Sequence, residues 1–253
     1  MRKTVYCILL FFLQISILKA QYAGTLNYKL TIKTRIEQNE LNRIIYFKDG
    51  QSIELGIPKK QLNKTEKISE SEINETRVLV SAKKLFVYKN FLSKKLILSD
   101  YIMAKKALIE DTLNNFNWKV TSEHKKILNY SCTKATVNFR GRNYTAWFTE
   151  QIPLPLGPWK FGGLPGLIVK VTDSEGKFDY EITGINLKAK FDDKIIAVPS
   201  AYDKDKAITH QQFITLLNKK IADNAKLSRV VITFPNGGWG KATINLPEKK
   251  EKF

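Results

Sequence analysis

Polar and apolar positions alternate along most of this chain. Between Thr25 and Arg35 the residues Leu26, Tyr28, Leu30 and Ile32 fall two apart, with polar residues between them. That period places them on one face of a half-buried strand. Residues 42–55 repeat the pattern on either side of Asp49-Gly50. This predicts a hairpin, because glycine accepts positive φ without a Cβ clash. Shorter strand candidates lie at 78–88, 94–98 and 102–108; residues 111–117 read as a turn, and a strand restarts at 118–121. The clearest alternation is Ala135, Val137, Phe139, then a turn at Arg140-Gly141-Arg142, then Tyr144, Ala146, Phe148. Trp147 falls on the opposite face from its neighbours. Leu167–Val171 is a continuous apolar run, Ser174-Glu175-Gly176-Lys177 turns the chain, and Phe178, Tyr180 and Ile182 continue a meander.

One segment changes period. Thr209 and Gln212 have the spacing of a capping box, and Phe213, Leu216, Leu217 and Ile221 then follow at helical spacing. The polar stretch 58–77 predicts a long exposed loop. Residues 229–234 and 241–246 can add a last strand, and the charged end, 248–253, reads as frayed. Together these patterns predict one mainly β (β-rich α+β) domain over 21–253. Its expected architecture is a twisted antiparallel meander or half-barrel with one C-terminal amphipathic helix.

The first twenty residues stand apart. Arg2 and Lys3 precede an apolar run from Val5 to Leu18, and Ala20 offers a small residue for cleavage before Gln21. This is the layout of a secretory signal peptide. The run is shorter than the ~20 residues that span a bilayer, so no transmembrane segment is expected after cleavage. Cys7 leaves with the signal, and Cys132 remains as a single cysteine. It cannot form an intramolecular disulfide and reads as a buried thiol.

The formal net charge is +18, which predicts attraction to anionic surfaces. The lysines are scattered in pairs rather than gathered in a tract, and with export this argues against nucleic acid. His124 and His210 lie far apart and no paired Cys/His spacing exists, so no metal is expected. Cys132 and His124 could form a thiol–imidazole pair, but no third group or oxyanion signature accompanies them. No catalytic residue and no cofactor is assigned.

Two proline- and glycine-rich stretches, 152–158 and 162–166, follow the β segment. The run Trp159-Lys160-Phe161-Gly162-Gly163-Leu164-Pro165-Gly166-Leu167-Ile168 resembles the signature of the GLPGLI family, whose six letters stand here at Gly163 to Ile168. Trp118, Lys126, Ile127, Tyr130, Cys132, Phe139 to Arg142, Tyr144, Ala146-Trp147, Ile152-Pro153 and Gly157-Pro158 stand in the family's order. Asn129 replaces the usual glycine before Tyr130. The resemblance is strong over the middle third of the chain. It implies an exported protein of Gram-negative bacteria and no established activity.

Glycines open φ values closed to other residues and Pro165 fixes one, so this stretch predicts a rigid corner that launches the next strand. It is also the candidate binding loop, with Trp147, Trp159, Phe161, Gly163, Leu164, Pro165 and Gly166 as candidate site residues. The meander-plus-helix layout resembles, by fold alone, the half-barrel carriers that move lipidated proteins through the periplasm. On that analogy Trp118, Trp147, Trp159 and Phe161 would line an apolar cavity; on the plainer one they are core.

The expected protein is therefore a non-catalytic binding or accessory protein in the periplasm, at the outer membrane or outside the cell. Its ligand would be lipid-like, a peptide or an outer-membrane receptor. Two alternatives stand beside it: a charge-driven binder of acidic glycan or lipopolysaccharide, and a thiol-dependent enzyme using Cys132.

Overall fold

The computed structural model describes residues 23–34, 37–57, 83–113, 116–227, 231–233, 239–241 and 249–252. The expected signal peptide and the polar loop at 58–77 lie outside the described residues.

Two meanders form one sheet. The first comprises β1 (Gly24–Lys33), β2 (Gln38–Lys48), β3 (Gln51–Ile57), β4 (Phe86–Asn90), β5 (Lys95–Ile102) and β6 (Lys105–Thr112). The second comprises β7 (Lys119–Ile127), β8 (Tyr130–Phe139), β9 (Arg142–Thr149), β10 (Leu167–Asp173) and β11 (Phe178–Asn186). They join where β1 pairs with β11, so the first and last strands of the two meanders become central neighbours. A short β12 (Ile208–Thr209) adds in parallel to β6. All other pairings are antiparallel, and the sheet stays open rather than closing into a barrel. β13 (Val231–Thr233) and β14 (Trp239–Lys241) pair separately.

Alternation sorts the side chains onto two faces. The inner face carries Leu26, Tyr28, Leu30, Ile45, Phe47, Val87, Tyr144, Phe148, Val171 and Tyr180. With the 152–166 loop and the helix they form the main core. A smaller cluster of Ile53, Phe86, Leu108 and Tyr202 fills the outer face. It packs against Ile196 and Val198 of the segment that leads from β11 to the helix. Burying a side chain of this size contributes about 1.5–3 kcal/mol, so the larger inner cluster dominates stability.

The hairpin turns match their residues. Asp49 and Gly50 have φ of 49° and 74°, and Arg140 and Gly141 have 47° and 75°. Two successive positive φ values are the geometry that matches the strand twist. The helix α1 (His210–Leu227) starts on a complete capping box. Gln212 N–H donates to Thr209 Oγ1 at 3.2 Å, and Thr209 N–H donates to Gln212 Oε1 at 2.9 Å.

Four sequence expectations are corrected. Leu216 is 42 % exposed, while Phe213 and Leu217 are buried, so the stripe facing the sheet is narrower than its apolar residues suggest. Asp111 and Thr112 continue β6 instead of turning, because the Asp111 carboxylate has cationic partners on the inner face. β7 extends through Glu123, His124 and Lys125; an edge strand with solvated side chains shows no apolar alternation. The charged end is not frayed: residues 249–252 are docked on the inner face, with Glu251 only 6 % exposed. Its partners are charged groups on distant strands, which no local pattern signals.

Replacing Thr209 by alanine is expected to cost about 1 kcal/mol through loss of the cap. Urea unfolding monitored by circular dichroism measures it.

Candidate functional site

The loop between β9 and β10 folds back on itself before entering the sheet. Leu156 bridges Gly162, Gly163 N–H donates to Pro155 O at 3.2 Å, and Ile168 N–H donates to Leu156 O at 2.9 Å. Gly163 has φ of 82°. Gly166 has no such backbone; a Cβ there would sit 2.1 Å from Thr149 O. Of the glycines in this motif, Gly163 supplies conformation and Gly166 supplies close approach.

The loop is fastened by buried charges from the first meander. Lys89, on β4, donates to Gly157 O and Phe161 O, both at 2.8 Å. Glu54, on β3, accepts from Arg43 Nε at 2.8 Å and from the Trp159 backbone N–H at 2.5 Å. Trp159 itself has φ of 50°, a strained value for a bulky residue, and the Glu54 bond holds it there. Burial drives the Lys89 ammonium down to about 7 against the pull of Glu54. Burial alone would raise the Glu54 carboxyl; Arg43 and Lys250 outweigh it and bring it below the ordinary value.

The structure brings most of the candidate residues together. Trp159 and Phe161 pack edge to face, with ring centres 5.2 Å apart, and Tyr144 meets Phe161 at 4.8 Å. Trp118 donates its indole N–H to Gly162 O at 3.0 Å. Phe161 and Leu164 are closed within the core, whereas Trp159 borders a cavity. Trp147 does not join them. It stands on the outer face beneath the Lys125 ammonium, 4.0 Å from its ring centre, so its assignment to the same lining is corrected. Strand alternation had already placed it opposite Tyr144 and Phe148.

The cavity has a volume of about 170 Å³. Leu30, Ile32, Val87 and Phe178 line it from the sheet and Phe213 from α1; Lys249, Lys250 and Glu251 line it from the docked segment. Beside it lies an ionic cluster drawn from five elements. Asp111 accepts from Arg140 at 2.8 and 2.9 Å and from Lys160 at 2.9 Å. Glu251 accepts from Lys160 at 2.5 Å and Arg140 at 2.9 Å, and His210 Nε2 lies 2.7 Å from its other oxygen. Burial alone would raise the Glu251 carboxyl. The bond to His210 and the charges of Lys160 and Arg140 outweigh it and hold it at about 2.

Asp111, His210 and Glu251 bring their ligand atoms within 4.8 Å of one another. Arg140 and Lys160 bind the same carboxylates, so two positive charges already stand where a metal cation would sit. This cluster escaped the sequence reading, because its members are spread from residue 111 to residue 251 with no common spacing.

Cys132 is buried and donates to Tyr130 O at 3.4 Å; burial pushes its thiol pKa up. The ladder pairs Cys132 with Lys125 and His124 with Thr133. Neighbours along a strand face opposite sides, so Cys132 and His124 are not brought together. No helix among the described residues is long and apolar enough to cross a membrane.

Comparison with known proteins adds a local match and a fold. A family model described as a protein of unknown function (Porph_ging) matches residues 140–170. That span holds the β8–β9 turn, β9, the fastened loop and the hexapeptide. Among solved structures, PNGF-II in its P21 crystal form is similar in fold over 79 % of this chain, with a TM-score of 0.51 and 18 % identity. Its C2 crystal form gives a TM-score of 0.49, at 18 % identity over 78 % of this chain and 33 % of that one. The chain spans about a third of the length of PNGF-II, 34 % in the P21 form. A LolA superfamily protein, NE2245 from Nitrosomonas europaea, gives a TM-score of 0.32 at 7 % identity, over 70 % of this chain and 91 % of that one. No curated protein sequence matches the chain significantly.

Two predictions follow from this geometry. Gly166→Ala forces a Cβ against backbone and is expected to destabilise by about 3 kcal/mol. Gly163→Ala has open space and pays only for its φ, about 1 kcal/mol. Urea midpoints of the two variants rank them. The second prediction concerns acid. The Glu251 carboxyl titrates at about 2 when folded against an ordinary 4.5. Between those values the unfolded chain holds the extra proton, so this stabilisation is full above pH 4.5 and lost as pH falls toward 2. Glu251→Gln is expected to be less stable than the parent at neutral pH and to lose less stability across that window.

Proposed function

We propose that the chain is a non-catalytic binding or accessory protein of the Gram-negative cell envelope, with its ligand seat on the inner face beside Trp159. The observation that carries this reading is the cavity. It has an apolar floor of Leu30, Ile32, Val87 and Phe178, the rigidly fastened Trp159 at one side, and a charged segment as its closing wall. Ligand sites are concave, mostly apolar and supplied with a few fixed polar groups. The sheet, the loop and α1 provide these in one place.

Size refines the reading. A dry apolar cavity of about 150 Å³ takes a molecule as small as benzene. A cavity of about 170 Å³ therefore admits a small apolar group as it stands. A longer ligand needs residues 249–252 to give way. The envelope address is supported by the basic–apolar–small pattern of residues 1–20 and by the GLPGLI resemblance at 163–168.

Native mass spectrometry of the protein isolated from its own host envelope, followed by solvent extraction, tests the proposal. A stoichiometric co-purifying molecule, released when Phe213→Trp fills the cavity, is the expected result. A clean apo mass under gentle isolation would count against it.

A further inference from the structure

Residues 249–252 lie in the inner-face trough as a bound peptide would. They belong to no helix or strand, and their main chain is contacted along its length. Arg142 Nη2 donates to Lys249 O at 3.1 Å, the Tyr144 hydroxyl donates to Lys250 O, and Lys252 N–H donates to Arg140 O at 3.0 Å. Their side chains enter separate seats. Lys249 Nζ donates to Asp100 Oδ1 at 2.8 Å and Tyr101 O at 2.9 Å. The Lys250 ammonium stands 5.2 Å from the ring centres of both Trp159 and Tyr180, within the field of Glu54. Glu251 enters between Lys160 and Arg140.

These seats are built by the scaffold. Trp159 is set by Glu54, and Arg142, 1 % exposed, is paired with Asp173 at 2.6 Å. The buried Tyr180 hydroxyl has no hydrogen-bond partner among the described residues. A segment that served only to fill the trough would be better made of apolar side chains. Burying charges costs solvation that their pairing at most offsets, and apolar replacements of equal volume are often as stable or more so. Ammonium over aromatic faces, carboxylate between two cations and carbonyls met by fixed donors are instead the features of recognition.

We propose that this trough is a peptide-recognition site. It takes from a partner protein an extended segment in which a lysine is followed directly by an acidic residue, and residues 249–252 are its resident competitor. The proposal rests on the inner face being a ligand seat and names the ligand class. The lysine enters the Trp159–Tyr180 cleft, the acidic side chain meets Lys160 and Arg140, and Arg142 and Tyr144 hold the main chain. A tethered competitor acts at an effective concentration of roughly millimolar, so it masks the site until its own contacts are weakened.

The test uses the full chain and a fluorescently labelled, end-capped peptide with the sequence of residues 249–252, followed by anisotropy. Glu251→Gln and, separately, Lys250→Met loosen the resident segment; circular dichroism and melting curves verify that both fold. Each is expected to bind the peptide about tenfold or more tightly than the parent chain, as release of a tethered competitor requires. Adding Lys160→Met to Glu251→Gln is expected to remove that gain, as is moving the glutamate of the probe to its first position, which leaves no lysine directly before an acidic residue. Folded release variants that bind no tighter than the parent, or that bind the reordered probe equally well, would overturn the proposal. If the envelope-isolated protein yields a bound molecule of another class while the peptide fails, the seat stands and this inference falls. A clean apo mass together with peptide failure removes both.

Discussion

Two charged side chains from the first meander reach across the inner face and hold a loop of the second. Lys89 binds the carbonyls of Gly157 and Phe161, and Glu54 binds the amide of Trp159. A proline- and glycine-rich loop cannot satisfy its own polar backbone by forming helix or strand, and buried backbone groups without partners are costly. Glu54 and Lys89 supply the missing partners. Removing one member of such a buried set costs about 3–5 kcal/mol, because the other is left uncompensated. The rest of the inner face depends on these few bonds.

From that anchor the site follows in order. Trp159 is fixed with positive φ and its ring packs on Phe161 and Phe139. Lys160, the next residue, is thereby aimed at Asp111 and Glu251. Arg140 reaches the same carboxylates from the β8–β9 turn, and His210 arrives from the start of α1. The ionic cluster thus ties the loop, both meanders, the helix and residues 249–252 together. The apolar cavity is the space left where that segment and Phe213 meet the sheet.

The open sheet makes this arrangement possible. A closed barrel of comparable strand number would fill its interior with its own side chains or enclose a lumen. Here β6 and β7, adjacent in sequence, lie toward opposite edges. Phe116 and Trp118 on their connection pack onto Phe161. The uncovered inner face is then covered piece by piece, by the loop, by α1 and by residues 249–252. Some of those pieces are polar, so the face is held by specific bonds as much as by apolar contact.

Much of the fold was legible along the chain. Period-two alternation placed β1, β2, β8, β9 and β11; Asp49-Gly50 and Arg140-Gly141 placed two turns; Thr209 and Gln212 placed the start of α1. These signals are local, because strand period, turn conformation and helix capping act over a few residues. The same alternation set Trp147 apart from Tyr144 and Phe148, and the glycine-rich motif marked the loop that carries Trp159. What the sequence could not decide was pairing at a distance. The β1–β11 junction, the Glu54–Trp159 bond and the gathering of Asp111, Arg140, Lys160, His210 and Glu251 join residues far apart in the chain, as far as Thr25 and Asn186 at the junction. Charged residues carry no periodic label naming their partner, so 249–252 read as a frayed end until the fold placed cations, aromatic faces and donors around it.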